Sequence, residues 1–144
     1  MSFDVDVAEG FADMKITQVY HNESANPLEI VFKLPISESF SISSLQARFL
    51  LQEGSETVLE TKVAERAKAQ AKYDDSVASG QTAVMATLPP ISKIFDANIM
   101  SIYLGNFPPM SRMILTASCA QKLDVTDLSY SLTIPMSYVP KYLS

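Results

Sequence analysis

A chain of 144 residues has the length of one ordinary domain, and a domain of that size buries about 68–70% of the surface its unfolded form exposes, so one good core is expected. Hydrophobic residues make up 47% and charged residues 19%, against roughly 25% charged in typical soluble domains, which excludes a disordered chain and predicts a folded, somewhat apolar domain. The formal charge of −5 is concentrated in residues 1–59, with nine acids against three bases, so there is no basic footprint for nucleic acid and an anionic membrane surface is disfavoured.

Apolar residues recur mostly at period two, which predicts short alternating strands. In "FDVDVA" Phe3, Val5 and Val7 share one face and Asp4 and Asp6 the other. "MKITQVY" places Met14 and Ile16, with Gln18 and Tyr20, opposite Lys15, Thr17 and Val19. "LEIVFKLPI", "SSLQARFLL", "ETVLETKV", "NIMSIYL", "RMILTASCAQKL" and "LSYSLTIPM" follow as further strands, punctuated by Pro, Gly, Asn or Ser. The fold class expected is mainly β: an antiparallel β-sandwich-like domain.

One stretch departs from this period. Residues 64–79 are rich in Ala, Lys, Arg, Gln and Glu, contain no Gly or Pro, and stop at Gly80, a residue suited to the left-handed position after a helix. They predict one amphipathic α-helix, laid against or across the sandwich. At 100° per residue, Val63, Ala64, Ala67, Ala71, Tyr73, Val77 and Ala78 form a broad apolar arc, with Glu65, Lys68 and Lys72 away from it. Asp74 falls inside that arc. Either its carboxylate finds a hydrogen-bonding partner there or the helix is rotated from this placement.

Candidate chemistry is sparse. His21 is the only histidine, no G-x-S-x-G elbow is present, and His21 reads as a strand-end or surface residue. Cys119, the only cysteine, lies in a strand pattern and reads as a buried, inert thiol. One Cys and one His serve zinc poorly, and four glycines at 10, 54, 80 and 105 build no P-loop. "YDDSVASG" lacks the oxygen-ligand spacing of a calcium loop, and Asp74 and Asp75 diverge by about 100° on a helix, so they are no paired-carboxylate site. Asp74-x-Ser76 begins a D-x-S-x-S metal motif, but Ala78 breaks it. The expectation is therefore no catalytic residue, no metal and no cofactor. A single cysteine, with acids where a signal peptide is basic and then apolar, points to a reducing, cytoplasmic compartment; an extracellular one stays open if the chain is a piece of a longer protein. No run approaches the ~18 apolar residues of a membrane span. Asn22-Glu23-Ser24 is formally a glycosylation acceptor, though not one expected to be used without a secretion signal.

Five segments in order resemble the vault protein inter-alpha-trypsin (VIT) domain family. They are Ile16-Thr17-Gln18 with Tyr20-x-Asn22 and the following Pro27-Leu28-Glu29, "FKLPI" from Phe32 to Ile36, the stretch Val63 to Gly80 through Glu65, Arg66, Ala69 and Tyr73, the turn Gly105-Asn106-Phe107-Pro108-Pro109, and the closing "IPMSYVPKY". The likeness runs from about Phe3 to Tyr142, over a single domain of residues 1–144. Departures are Ser76 in place of alanine, Met100 of phenylalanine, Met110 of the glycine after the double proline, and Cys119 of tyrosine.

The resemblance implies a non-enzymatic interaction or scaffolding module of the kind that precedes a von Willebrand A domain, as in inter-alpha-trypsin inhibitor heavy chains. The implied partner is that adjacent domain, and the chain is expected to be a fragment of a multidomain parent. A self-assembling structural domain, or a ligand-binding or hydrolytic domain with a scattered polar site, is the alternative. Two surfaces suggest themselves for contact: the polar face of the helix, with Glu65, Lys68, Lys72 and Asp75, and the turn at Asn106, Phe107, Pro108 and Pro109.

Overall fold

The computed structural model describes residues 1–35, 39–62, 73–87 and 99–134. Along them run strands β1 (Ser2–Ala8), β2 (Phe11–Asn22), β3 (Leu28–Pro35), β4 (Phe40–Leu50), β5 (Glu56–Lys62), β6 (Ala83–Thr87), β7 (Ile99–Phe107), β8 (Ser111–Lys122), β9 (Asp124–Thr126) and β10 (Ser129–Ser131). Period-two patterning turns directly into period-two burial. On β2 the side chains of Ala12, Met14, Ile16, Gln18 and Asn22 are buried, and on β8 those of Ser111, Met113, Leu115, Ala117 and Cys119. The two strands pair antiparallel with Met14 opposite Cys119 and Ile16 opposite Ala117, so the buried sets share one face.

Five strands join in the order β1-β2-β8-β4-β5 and three in the order β3-β7-β6, with antiparallel pairing throughout. The sheets meet face to face. Met14, Ile16, Leu45 and Ala117 of the larger pack with Leu34, Ala86, Met100 and Ile102 of the smaller. Toward the other end Phe49 meets Phe107, ring centroids 5.7 Å apart, among Leu104, Met113 and Leu115. Each Leu, Ile, Met or Phe among them contributes about 1.5–3 kcal/mol by leaving water, and each Ala less. The mainly β, sandwich-like architecture expected from the strand pattern is the one observed.

β1 is an edge strand. Val5 and Val7 lie on the same face as Phe3 but are 37% and 59% exposed, because five strands outreach the three stacked against them. Asp4 and Asp6 charge the opposite face of this edge, a feature that discourages pairing with other chains.

Three elements differ from the sequence expectation. β6, "AVMAT", was not foreseen: Ala83, Met85 and Ala86 are all buried, so both faces are covered and alternation is lost. "LSYSLTIPM" is not one strand; its residues Ser129–Ser131 form β10, which pairs with the unanticipated β9 through a turn at Asp127-Leu128. Of the expected helix, residues 73–78 are helical, and the part before Tyr73 lies outside the described residues.

That helix packs on the outer face of the three-stranded sheet. Residues opposite each other across an antiparallel pair share a face, which places Gly105 beside Ala83, and Tyr103 beside Met85 and Val31, all pointing away from the sandwich core. Tyr73 meets Tyr103 edge-on at 6.4 Å, and Val77 lies over Gly105.

Candidate interaction surface

The turn Gly105–Met110 is built by interlocking contacts. Gly105 has no side chain where the helix comes down: a β-carbon there would stand 2.5 Å from Val77 Cγ2 and 2.8 Å from the Tyr73 hydroxyl. Only glycine permits this approach. Asn106 then takes a left-handed conformation, φ +53°, and its Nδ2 donates to the carbonyls of Val77 (3.3 Å) and Gln81 (3.0 Å). Its own carbonyl accepts from Thr82 Oγ1 at 2.9 Å.

The end of the helix completes the arrangement. Gly80 N donates to Val77 O and Gln81 N to Ser76 O, with Gly80 at φ +76°, the paired bonds of a Schellman cap. Asn106 therefore adds a second donor to Val77 O in the last turn of the helix and holds the Gln81 carbonyl just beyond the cap.

Phe107 points into the core, 1% exposed. Its carbonyl and that of Pro108 accept from Asn22 Nδ2, at 3.1 and 3.0 Å, and Asn22 also donates to Asn26 O at 3.1 Å. Asn22 Oδ1 accepts from Ser24 N, Met110 N donates to Ser24 O, and Ser111 Oγ donates to Pro108 O. One buried amide thus clasps the end of β2 to the β7–β8 turn. The sequon at Asn22 is unusable in the folded chain, since its nitrogen is 2% exposed with its residue and committed to three carbonyls.

Other motif residues are likewise spent on packing. Ile16 is in the core, Tyr20 donates its hydroxyl to Gln18 Oε1 at 2.8 Å, and the Tyr20 ring meets Phe32 at 4.8 Å. The Tyr73 hydroxyl is pushed above its usual range, first by burial and then by the nearby carboxylates of Glu29 and Asp74. Cys119 is buried and its thiol is pushed up to about 12 by desolvation, so the thiolate is suppressed at neutral pH.

Of the residues expected to form a contact surface, Glu65, Lys68 and Lys72 lie outside the described residues. Asp75 is exposed. Asn106 is half-buried with its amide on the helix end, Pro108 is half-buried, and Pro109 and Met110 are exposed. Phe107 is the correction: it offers nothing to a partner, because the turn drives its ring between the sheets. Asp74 is exposed, so the helix is rotated from the placement by periodicity; Tyr73, Ser76 and Val77 face the sheet and Ala78 faces out. His21 is exposed opposite Arg112 on the outer face of the large sheet. Among the described residues no group of three or more His, Cys, Asp or Glu gathers as a metal site, and no helix is long and apolar enough to cross a membrane.

These contacts are made by the residues that carry the family motifs, and a sequence profile of the vault protein inter-alpha-trypsin domain matches residues 1–118. The chain belongs to the VIT domain family. Its VIT domain is 36% identical over 98 residues to a von Willebrand factor A domain-containing protein of Dictyostelium discoideum, a match covering 68% of this chain and 10% of that one. It is 25% identical over 144 residues to von Willebrand factor A domain-containing protein 5A of Rattus norvegicus, covering 99% of this chain and 16% of that one. The chain thus spans between a tenth and a sixth of the length of these relatives. The closing "IPMSYVPKY" lies beyond the profile match.

Met110 keeps the backbone conformation that suits the glycine of the VIT pattern, and nothing in the structure explains methionine there. It occupies φ +49°, a left-handed conformation that glycine adopts freely and methionine rarely. Asn22 belongs to a motif of packing and turn residues, but its clasp on the carbonyls of Phe107 and Pro108 was not foreseen from sequence. The signal available was Tyr20-x-Asn22 recurring with the double-proline turn in one motif set.

Proposed function

We propose that this VIT domain is a non-enzymatic interaction and scaffolding module, a single domain over residues 1–144, that packs against and positions a following von Willebrand A domain of its parent chain. The observation that carries the reading is where the VIT motif residues go. Gly105, Asn106, Phe107, Asn22 and Tyr73 are consumed by a helix-to-sheet joint and a turn clasp, so among the described residues these motif side chains serve packing rather than a convergent polar site. That its relatives are named von Willebrand factor A domain-containing proteins supports this choice of partner. A reducing, cytoplasmic setting accompanies this reading, resting on the one buried cysteine.

Small-angle scattering of the full-length parent tests it. A fixed arrangement of the VIT and A domains predicts one interdomain distance, unchanged by salt. A broad distance distribution, as from two bodies on a flexible tether, would overturn the reading.

A further inference from the structure

The segment after β8 folds back on itself as a separate hairpin. β9 and β10 form their own two-stranded sheet, and all six of their residues are exposed. A hairpin with neither face buried is marginally stable in water. Val125 and Tyr130 lie directly opposite each other and hence on one face, 67% and 61% exposed. The hairpin base adjoins the β1–β2 turn: Leu123 N donates to Gly10 O, and Tyr130 Cε1 lies 3.6 Å from where a Gly10 β-carbon would stand. Phe11, next in the chain, is 57% exposed.

The tip carries a second, independent oddity. Asp127 and Leu128 have φ of +44° and +71°, both left-handed, as the central residues of a type I′ turn require. Asn, Asp and Gly suit that turn; leucine does not, and Leu128 is also fully exposed, at 104% of its reference area. Both its conformation and its exposure cost stability in this domain. Strain of this kind persists where it serves something outside the local structure.

We infer that the β9–β10 hairpin is the element on which the following von Willebrand A domain docks, with Leu128 entering an apolar pocket of that domain and Val125 and Tyr130 flanking it. The inference rests on the reading above, that the two domains pack. β10 ends at Ser131, and the thirteen residues from there to Ser144 span at most about 45 Å when extended, so a domain that follows is tethered within reach of the hairpin. Residues 124–131 number eight, whereas a stable two-body interface engages roughly 20–30 residues a side. So small a contact suits a tethered neighbour, for which the linker supplies an effective concentration in the millimolar range, better than a free partner or a second copy.

Hydrogen exchange in the full-length parent, compared with this 144-residue chain alone, tests the assignment. Exchange of the amides at 124–131 is expected to slow about tenfold or more in the parent. Leu128→Gly, which suits the turn better and so keeps the fold, returns those amides in the parent to the rate of the isolated chain, while Leu128→Met keeps their protection. Protection of another face of the VIT domain, with 124–131 unaffected, overturns the assignment and leaves the packing reading standing. No protection anywhere overturns both. Protection already present in the 144-residue chain, whether at all concentrations or only at high ones, gives the hairpin to intrachain cover or to a second copy and overturns the assignment.

Discussion

Gly105 lies so close beneath Val77 that a single added carbon would come within 2.5 Å of Val77 Cγ2. Gly105→Ala must therefore lift the helix or bend β7, at a cost of about 1–3 kcal/mol, the usual range for overpacking. Adding Val77→Ala removes the nearest atom and recovers part of the loss, with a coupling energy of roughly 0.5–3 kcal/mol between the two sites. Urea unfolding of the single and double variants measures both. A Gly105→Ala protein with an unchanged midpoint would show that the helix does not seat there.

Asn22 is the corresponding joint on the other side of the turn. Asn22→Ala leaves the carbonyls of Phe107 and Pro108 without their amide donor in a buried place, a loss of about 1–3 kcal/mol. Asn22→Asp has the same shape but no N–H to give, so it does not rescue. Equal stability of the wild type and the aspartate variant would contradict the clasp.

Two left-handed residues of the same turn respond in opposite directions. Asn106→Gly retains the backbone and loses only the amide bonds to Val77 and Gln81, so it is more stable than Asn106→Ala, which also strains φ, by about 1 kcal/mol. Met110→Gly relieves strain, keeps the Met110 N to Ser24 O bond, and raises stability by roughly 0.5–1 kcal/mol. Thermal melts of the three variants decide the ranking.

Cys119 makes stability fall at alkaline pH. Its thiol is raised from 9.0 to about 12 in the fold, so the unfolded chain loses the proton first. The stabilisation is fully present below pH 9 and is lost as the pH rises toward about 12. Unfolding free energy should drop by roughly 1 kcal/mol from pH 9 to 10. Cys119→Ala should lack this part of the slope. Parallel slopes for both proteins would show that the thiol does not contribute.

β2 and β8 were legible in the sequence because one face meets the core and the other meets water, which is what period two records. β6 was not, since the helix side of the small sheet is also covered and "AVMAT" has no polar face to show. The helix was legible at its end, through Gly80, but not in its rotation. Periodicity weighs Ala78 and Val77 alike, whereas the slot above Gly105 selects Tyr73 and Val77, and so turns Asp74 outward. Phe107 looked like a turn residue because Asn106 reverses the alternation there, and a positive φ leaves little trace in sequence.

The VIT domain is taken to position the A domain of its parent, and calorimetry of that parent carrying Gly105→Ala addresses this most directly. The substitution acts on an internal joint between the helix and β7, so the A domain can sense it only through contact with the VIT domain. If the two domains support each other, the A domain's transition moves to lower temperature together with that of the VIT domain. An A-domain transition that stays where it was, while the VIT domain melts earlier, would contradict the account.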